Sequence, residues 1–248
     1  MAGPLGPYLA IASEAALKAG DFLASRSDET LGVDHEAGRD IKLAADRKAE
    51  ALILTCLSRG TDLPVLAEES GQSGTLEGLY WVVDPLDGSA NYQRQMPLCA
   101  VSIALMRDET PILGVIYDIG TGELLTGGEG VAATLGGEPV SVSNITEKSR
   151  AVLATGLPVM ADYSAEALQA MAAGFADWKK IRMFGTATLA GAYVASGKVD
   201  RYAENGARLW DVAAAMAIAR AAGGRAEISE GAPDAPRKIL IDNGKLPY

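Results

Sequence analysis

Apolar residues recur every three or four positions at the start of the chain. Leu9, Ala12, Ala16, Ala19 and Leu23 share one face while Glu14, Lys18 and Asp21 lie on others, which predicts a helix over 8–25. After a polar, glycine-containing loop, Asp40 stands where it can cap a second helix reaching about Ser58, with Ile41, Ala45, Ala49, Leu52 and Cys56 as its buried stripe. From Pro64 the pattern changes to short apolar runs bounded by turn residues: PVLAE (64–68), LYWVVD (79–84), CAVSIALM (99–106), ILGVIYD (112–118) and ELLT (123–126). These predict strands of a mostly antiparallel sheet. Further on, the strand candidates AVLAT (151–155), KIRMF (180–184) and DRYAE (200–204) alternate with helical stretches over 161–176, 188–196 and 209–222, the pattern of an α/β layer. The expected fold class is therefore α/β (α+β), with an N-terminal α+β lobe over 1–146 and a C-terminal α/β lobe over 147–248. The polar stretch SNITEKSR, 143–150, marks the boundary.

Composition narrows the function. A chain of 248 residues with 48% hydrophobic content can bury about three quarters of its extended surface, so general disorder is excluded. The 22 basic and 32 acidic residues give a net charge of -10, which removes long-range attraction to phosphate backbones or anionic lipid and argues against nucleic-acid and membrane partners. The longest apolar run, Val212 to Ala219, is far short of the roughly 18 residues that span a bilayer. Cys56 and Cys99 make no disulfide framework, and MAGPLGPY has no charged stretch followed by an apolar segment, so a reduced, cytoplasmic protein is expected. His35 is the only histidine, and it sits in the polar stretch VDHEAGRD, which reads as a solvated loop. Acid and base chemistry falls to carboxylates.

The candidate chemistry is concentrated in LYWVVDPLDGSANY, 79–92. An apolar strand delivers Asp84, Pro85 stiffens the exit, and Asp87 follows before Gly88 and Ser89. Gly88 permits close backbone approach, and Ser89, Ala90 and Asn91 can open a helical turn whose N–H groups hold a phosphate; an ordinary Asx turn is an equally good reading of the same residues. PVLAEES ends another strand in Glu68 and Glu69, and Asp211 lies in the first turn of the Ala-rich segment closed by Gly223 and Gly224, where it serves as well for an N-terminal cap as for a metal ligand. If Glu68, Asp84 and Asp87 converge within about 5 Å, each pair repels by roughly 3 kcal/mol at an effective dielectric of 20, and a cation must neutralise them. All-oxygen ligands favour Mg²⁺, Mn²⁺ or Ca²⁺ over zinc. Gly185 and Thr186 precede a further helix, a geometry suited to a small anion or simply to a capped helix. Gly128, Gly130 and Ala133 imitate a dinucleotide fingerprint, but Gly136, Gly137 and Pro139 arrive before a helix can develop, so a glycine-turned hairpin is expected.

DPLDGSANY at 84–92, EES at 68–70 and WDVAAAMAIARAAGG at 210–224, in this order and spacing, resemble the inositol monophosphatase family of metal-dependent sugar phosphatases. FGTATLAGAYVASGKVDRYAE, 184–204, resembles its substrate segment, and GRDIKLAADRKAE, 38–50, its second helix. The resemblance implies a layered α-β-α-β-α sandwich of the sugar phosphatase type and hydrolysis of a small phosphate monoester, an inositol, sugar or polyol phosphate, without a covalent intermediate. It also implies lithium sensitivity and a homodimer. On it, Glu68, Asp84, the Leu86 carbonyl, Asp87 and Asp211 bind two or three Mg²⁺ ions, with Mn²⁺ as an alternative. Asp46, Glu68 and Ser89 are the catalytic residues, of which Ser89 and Asp46 orient the attacking water. Asp87, Gly88, Ser89, Gly185, Thr186, Ala187, Glu204 and Asp211 contact substrate. The family usually has Thr where Ser89 stands, commonly Thr where Leu43 precedes Asp46, and often Lys where His35 aligns. Nucleotide 3'-phosphatases of the family continue the DGT motif with Lys and Glu, whereas this chain has Ala90, Asn91 and Tyr92, which favours a sugar, cyclitol or polyol phosphate. Fructose bisphosphate and histidinol phosphate stay open as substrates, as does a noncatalytic anion-binding role.

Overall fold

The computed structural model describes residues 4–25, 33–37, 40–158 and 161–248, with side chains described outside 33–43. Two helices, α1 (Gly6–Ala24) and α2 (Ala44–Gly60), pack on each other and on one face of a sheet. The helix α1 buries Ala12, Ala15, Ala16, Ala19, Gly20 and Leu23, the stripe its periodicity predicts, and its small residues let it lie close: a Cβ on Gly20 would stand 2.2 Å from the Tyr117 ring.

Among the described residues that sheet has eight strands: β3 (Val65–Ala67), β4 (Gly71–Ser73), β5 (Leu79–Asp87), β6 (Ala100–Arg107), β7 (Thr110–Asp118), β8 (Glu123–Gly128), β9 (Val131–Leu135) and β10 (Glu138–Pro139), in the order β10-β9-β8-β7-β6-β5-β3-β4. All neighbours pair antiparallel except β3 with β5. The expected mostly antiparallel sheet is present, and the glycine-rich stretch is the β8–β9 hairpin, not a nucleotide loop.

A second sheet holds β11 (Val152–Ala154), β12 (Lys180–Arg182), β13 (Arg201–Ala207), β14 (Arg225–Ile228) and β15 (Arg237–Asp242), ordered β12-β11-β13-β15-β14. The helix α6 (Leu209–Ala221) lies between the sheets, against β5 to β9 on one side and β14 and β15 on the other, with α5 (Ala187–Ala195) beside it. Because α6 is covered on all sides, it is apolar all round, which explains the run Val212 to Ala219 that is too short for a membrane. A Cβ on Gly114 of β7 would lie 2.2 Å from the Ala214 carbonyl oxygen, and one on Gly191 would lie 2.6 Å from the Ala215 Cβ, so two glycines permit this approach.

The remaining helix, α4 (Ala165–Ala173), joins the parallel neighbours β11 and β12. The chain then returns through α5 to β13 on the other side of β11. Right-handed crossovers stepping in opposite directions along a sheet put their helices on opposite faces, so α4 forms the outer layer and completes α-β-α-β-α. None of its residues is buried, so that layer is thin.

Some elements differ from expectation. Asp40 does not cap α2: residues 40–43 form β2 (Asp40–Leu43), which pairs with β1 (Val33–Ala37), and the helix starts at Ala44. Its buried stripe runs through Ala45, Ala49, Ile53, Cys56 and Leu57, while Leu52 is exposed. The Ile41 and His35 side chains lie outside the described residues. The stretch 161–176 shortens to α4 because the Ser164 hydroxyl caps the helix, accepting the Ala167 N–H at 3.2 Å. Glu204 is not a strand end; β13 continues to Ala207 through a bulge at Gly206, whose φ is +112°.

Candidate active site

The position of Asp84 and Asp87 follows from a defect in β5. Asp84 pairs with Ser102 of β6 and Asp87 pairs with Ala100, so three steps on β5 match two on β6. In a regular pleat, residues three apart face opposite sides of a sheet. The extra residue falls between them, in the Pro85–Leu86 step where Pro85 has no N–H for the ladder, and both aspartates come to border one cleft. The Leu86 N–H then folds back onto Asp84 Oδ1 at 3.0 Å. Gly88, at φ +90°, ends the turn; a Cβ there would meet the Leu98 carbonyl oxygen at 2.8 Å, so glycine is required by both conformation and space.

Around this turn a cleft of about 330 Å³ is lined by Asp46, Glu68, Glu69, Asp84, Leu86, Asp87, Gly88, Ser89, Gly185, Thr186, Ala187, Glu204 and Asp211, together with residues 155–158. Every candidate site residue thus borders one cavity, though they come from β3, β5, β13, α2, α5, α6 and the short helix α3 (Ser89–Gln93). Its volume suits a small ester. Three hydrogen bonds fix the frame: Ser102 Oγ to the Trp210 carbonyl at 3.2 Å, Thr188 Oγ1 to the Asp211 carbonyl at 2.8 Å, and Asn91 Nδ2 to the Phe184 carbonyl at 2.7 Å. They bind the first turn of α6 and the start of α5 to the β5 turn.

Each aspartate does local structural work with one oxygen. Asp211 Oδ2 accepts the Arg208 N–H at 2.7 Å in a capping box, and Asp87 Oδ2 accepts the Thr186 hydroxyl and, at 2.6 Å, the Thr188 N–H. The capping reading of Asp211 therefore holds, and the same residue borders the cleft. Thr186 also caps α5, accepting the Leu189 N–H at 3.2 Å, so the start of α5 is partly occupied by the protein's own groups. Ser89 Oγ donates to the Leu86 carbonyl at 3.1 Å and stands 3.5 Å from Asp46 Oδ1, which α2 holds nearly buried in its first turn.

The acids raise one another's proton affinity. Burial, then the charges of Glu68, Asp87 and Asp211, push the Asp84 carboxyl well above the usual range, with a hydrogen bond from protonated Asp84 to Glu68 adding to it. Asp211 is pushed well above it by burial and by Asp87 and Glu68, against the Arg208 N–H. Asp87 is raised by burial against its bonds to Thr186 and Thr188. Glu204 is raised to about 7 by burial, against the neighbouring Tyr202 hydroxyl, with the Asp87 charge adding to the rise. Such an excess of negative charge, with the Leu86 carbonyl at its edge, suits hard divalent cations in chemistry and sign. The acids touch each other, as Glu68 does Asp84, instead of forming a ready cage: among the described residues no group of three or more His, Cys, Asp or Glu is arranged to hold a metal ion as it stands.

Sequence reasoning missed Glu50, one turn after Asp46 on the buried face of α2, which accepts the Glu69 N–H at 2.9 Å and ties the β3 exit to that helix. Two acids four residues apart on an otherwise apolar stripe were the available signal. It also missed residues 155–158, which line the cleft and carry no charge to mark them.

This arrangement defines a family. The model of the inositol monophosphatase family matches residues 5–244, and the chain belongs to that family. It is 33% identical to an inositol-1-monophosphatase of Synechocystis sp., over 98% of this chain and 86% of the relative, and 38% identical to the Nus factor SuhB of Xylella fastidiosa, over 93% and 85%. Among solved structures it is similar to the inositol monophosphatase from Anabaena (Nostoc) sp. PCC 7120, with a TM-score of 0.85 at 34% identity over 97% of this chain and 92% of that one. It is equally similar to the extragenic suppressor protein suhB from Bartonella henselae, with 0.85 at 32% over 96% and 94%. The α+β fold is that of these structures. Among the described residues no helix is long and apolar enough to cross a membrane.

Proposed function

We propose that this protein is a Mg²⁺-dependent phosphatase that hydrolyses a small phosphate monoester, inositol monophosphate or a related polyol phosphate. The observation that carries the reading is the Ser89–Asp46 pair, 3.5 Å apart, beside a cluster of mutually repelling carboxylates in one cleft. The residues to hold Mg²⁺ are Glu68, Asp84, Asp87, Asp211 and the Leu86 carbonyl; bound there, two or three ions supply charge neutralisation, water activation and stabilisation of the leaving oxygen.

The chain's own groups do the remaining work. Asp46 holds the Ser89 hydroxyl, and the pair, with Glu68, orients a water for in-line attack and receives its proton. Gly88 lets the backbone approach the phosphate, and the N–H groups at 88 and 89 are its donors. Gly185, Thr186, Ala187 and Glu204 line the alcohol side, with Glu204 accepting hydrogen bonds from substrate hydroxyls. A cytoplasmic homodimer belongs to the same reading; a mass near 25.7 kDa by light scattering at micromolar concentration would exclude the dimer.

Phosphate release is measured across inositol, sugar, nucleotide and histidinol phosphates with Mg²⁺ and with EDTA. Release from a polyol phosphate that chelation abolishes is expected; no release from any of them with Mg²⁺ or Mn²⁺ overturns the reading. A second reading comes from the relatives named Nus factor SuhB, among them that of Escherichia coli K12 at 34% identity. A role of that kind would rest on a binding surface and survive loss of turnover.

A further inference from the structure

Tyr202 is fully buried, and its hydroxyl is the one buried side-chain polar atom among the described residues with no hydrogen-bond partner. Such orphans are rare in folded proteins and call for a reason. Tyr202 stands two residues before Glu204 on β13, so both side chains leave the same face of the strand. The charges that act on the hydroxyl are those of Glu204, Asp211 and Asp87, and Glu204 lies close enough that the hydroxyl already favours its ionised form, although the two do not meet in full hydrogen-bond geometry. No cation stands among them, and the phenol, whose acidity burial and these acids suppress, keeps its proton and can donate.

Glu204 is held from its other side by an absence of side chain. A Cβ on Gly156, which follows β11, would lie 2.1 Å from Glu204 Oε2, so the carboxylate rests against bare backbone at the cleft wall. The groups facing it are Tyr202 from its own strand, Asp87 from β5, Asp211 from α6 and the Gly156 backbone. Among these side chains Tyr202 alone carries a proton-donating hydroxyl for Glu204.

We propose that Tyr202 is a positioning residue, whose buried hydroxyl donates to Glu204 when a hydroxylated alcohol fills the cleft and so holds that carboxylate on the substrate's hydroxyls. This rests on the polyol phosphate reading and assigns its selectivity to a residue that never touches substrate. Without the donor, Glu204 keeps its charge but loses its aim, and the effect falls on binding of the alcohol, not on the reaction at phosphorus.

The test is Tyr202→Phe in the full chain with Mg²⁺. Deleting an unpartnered hydroxyl leaves the melting temperature unchanged or higher. The kcat/KM for inositol 1-phosphate falls about tenfold through KM, while that for para-nitrophenyl phosphate stays within about twofold. Adding Tyr202→Phe to Glu204→Gln produces no further loss, since one acts through the other. By carbon NMR the Glu204 carboxyl titrates higher in Tyr202→Phe than in wild type, because the nearby hydroxyl, which already favours the ionised form in the free protein, has gone. Equal losses on both substrates, additive losses in the double variant, or an unmoved Glu204 titration would each overturn the proposal. If wild type releases phosphate from neither substrate, the phosphatase reading fails separately, and the Glu204 titration alone decides the role of Tyr202.

Discussion

Asp84→Asn separates the two consequences of a carboxylate cluster, since it should make the metal-free protein more stable while removing its activity. Asp84 is 1% exposed, so solvent does not screen its repulsion from the neighbouring acids. Its contact with Glu68 is a hydrogen-bonded one, and two unit charges about 4 Å apart at an effective dielectric of 20 repel by about 4 kcal/mol. The metal-free protein escapes part of this by taking up a proton, so roughly 1–3 kcal/mol remains to be relieved near neutral pH. Asparagine keeps the shape and, through its Oδ1, the 3.0 Å bond from the Leu86 N–H. In EDTA the variant should melt about 3–10 °C above wild type. In Mg²⁺ at about 100 times its dissociation constant, wild type gains about 2.7 kcal/mol and the variant far less, so the order of the two melting curves reverses or closes. Turnover should fall by orders of magnitude. Thermal melts with EDTA and with Mg²⁺, beside phosphate release, read all three effects. A variant that melts below wild type in EDTA would refute the repulsion argument, and turnover within a factor of a few of wild type would refute the metal assignment.

Other consequences can be checked as directly. Ser89→Ala, which removes the hydroxyl 3.5 Å from Asp46, should lower kcat by about 10²–10⁴ with little change in melting temperature; an unchanged kcat would remove the pair from the mechanism. Gly114→Ala should destabilise by about 1–3 kcal/mol in urea unfolding, because its Cβ would stand 2.2 Å from a backbone oxygen of α6, and a neutral result would contradict that packing. The buried Asp242 works against burial but is held below the usual carboxylate range by Arg225, the Gly244 N–H and Arg201. A depressed folded pKa gives stability that is present above the unfolded value of about 3.9 and lost as pH falls through the lower folded one. Asp242→Asn should therefore flatten the acid limb of stability below about pH 4, and an identical limb in both proteins would count against the network.

Periodicity made the larger elements legible, and the failures came where two periods coincide or a short strand hides among turns. Ile41 and Ala45 are four apart, as on a helix, but D-I-K-L also alternates, and pairing with residues 33–37 decided for a strand. RAEI and RKILID became β14 and β15 without having been read as strands, because charged residues break their apolar runs and the proline-rich GAPDAP lies between them. Glu204 looked like a strand end because the apolar run stops there, yet Asn205 and Ala207 still pair on either side of the bulge at Gly206.

The site was legible as residues and illegible as geometry. Glu68, Asp84, Asp87, Ser89 and Asp211 stand out because acids and glycines at strand exits break an apolar pattern, but a three-residue spacing predicts that Asp84 and Asp87 diverge. Only the irregular β5–β6 register, with Pro85 in it, brings them to one side. The same defect lets an acid that borders the cleft also do structural work: Asp87 lies against the start of α5, where one oxygen is spent on Thr186 and Thr188. A fold that anchors the acids of its cleft through its helix caps fixes their positions as firmly as it fixes the helices. It follows that Thr186, buried beside Asp87 and carrying no charge of its own, shapes the acid cluster as directly as the acids themselves.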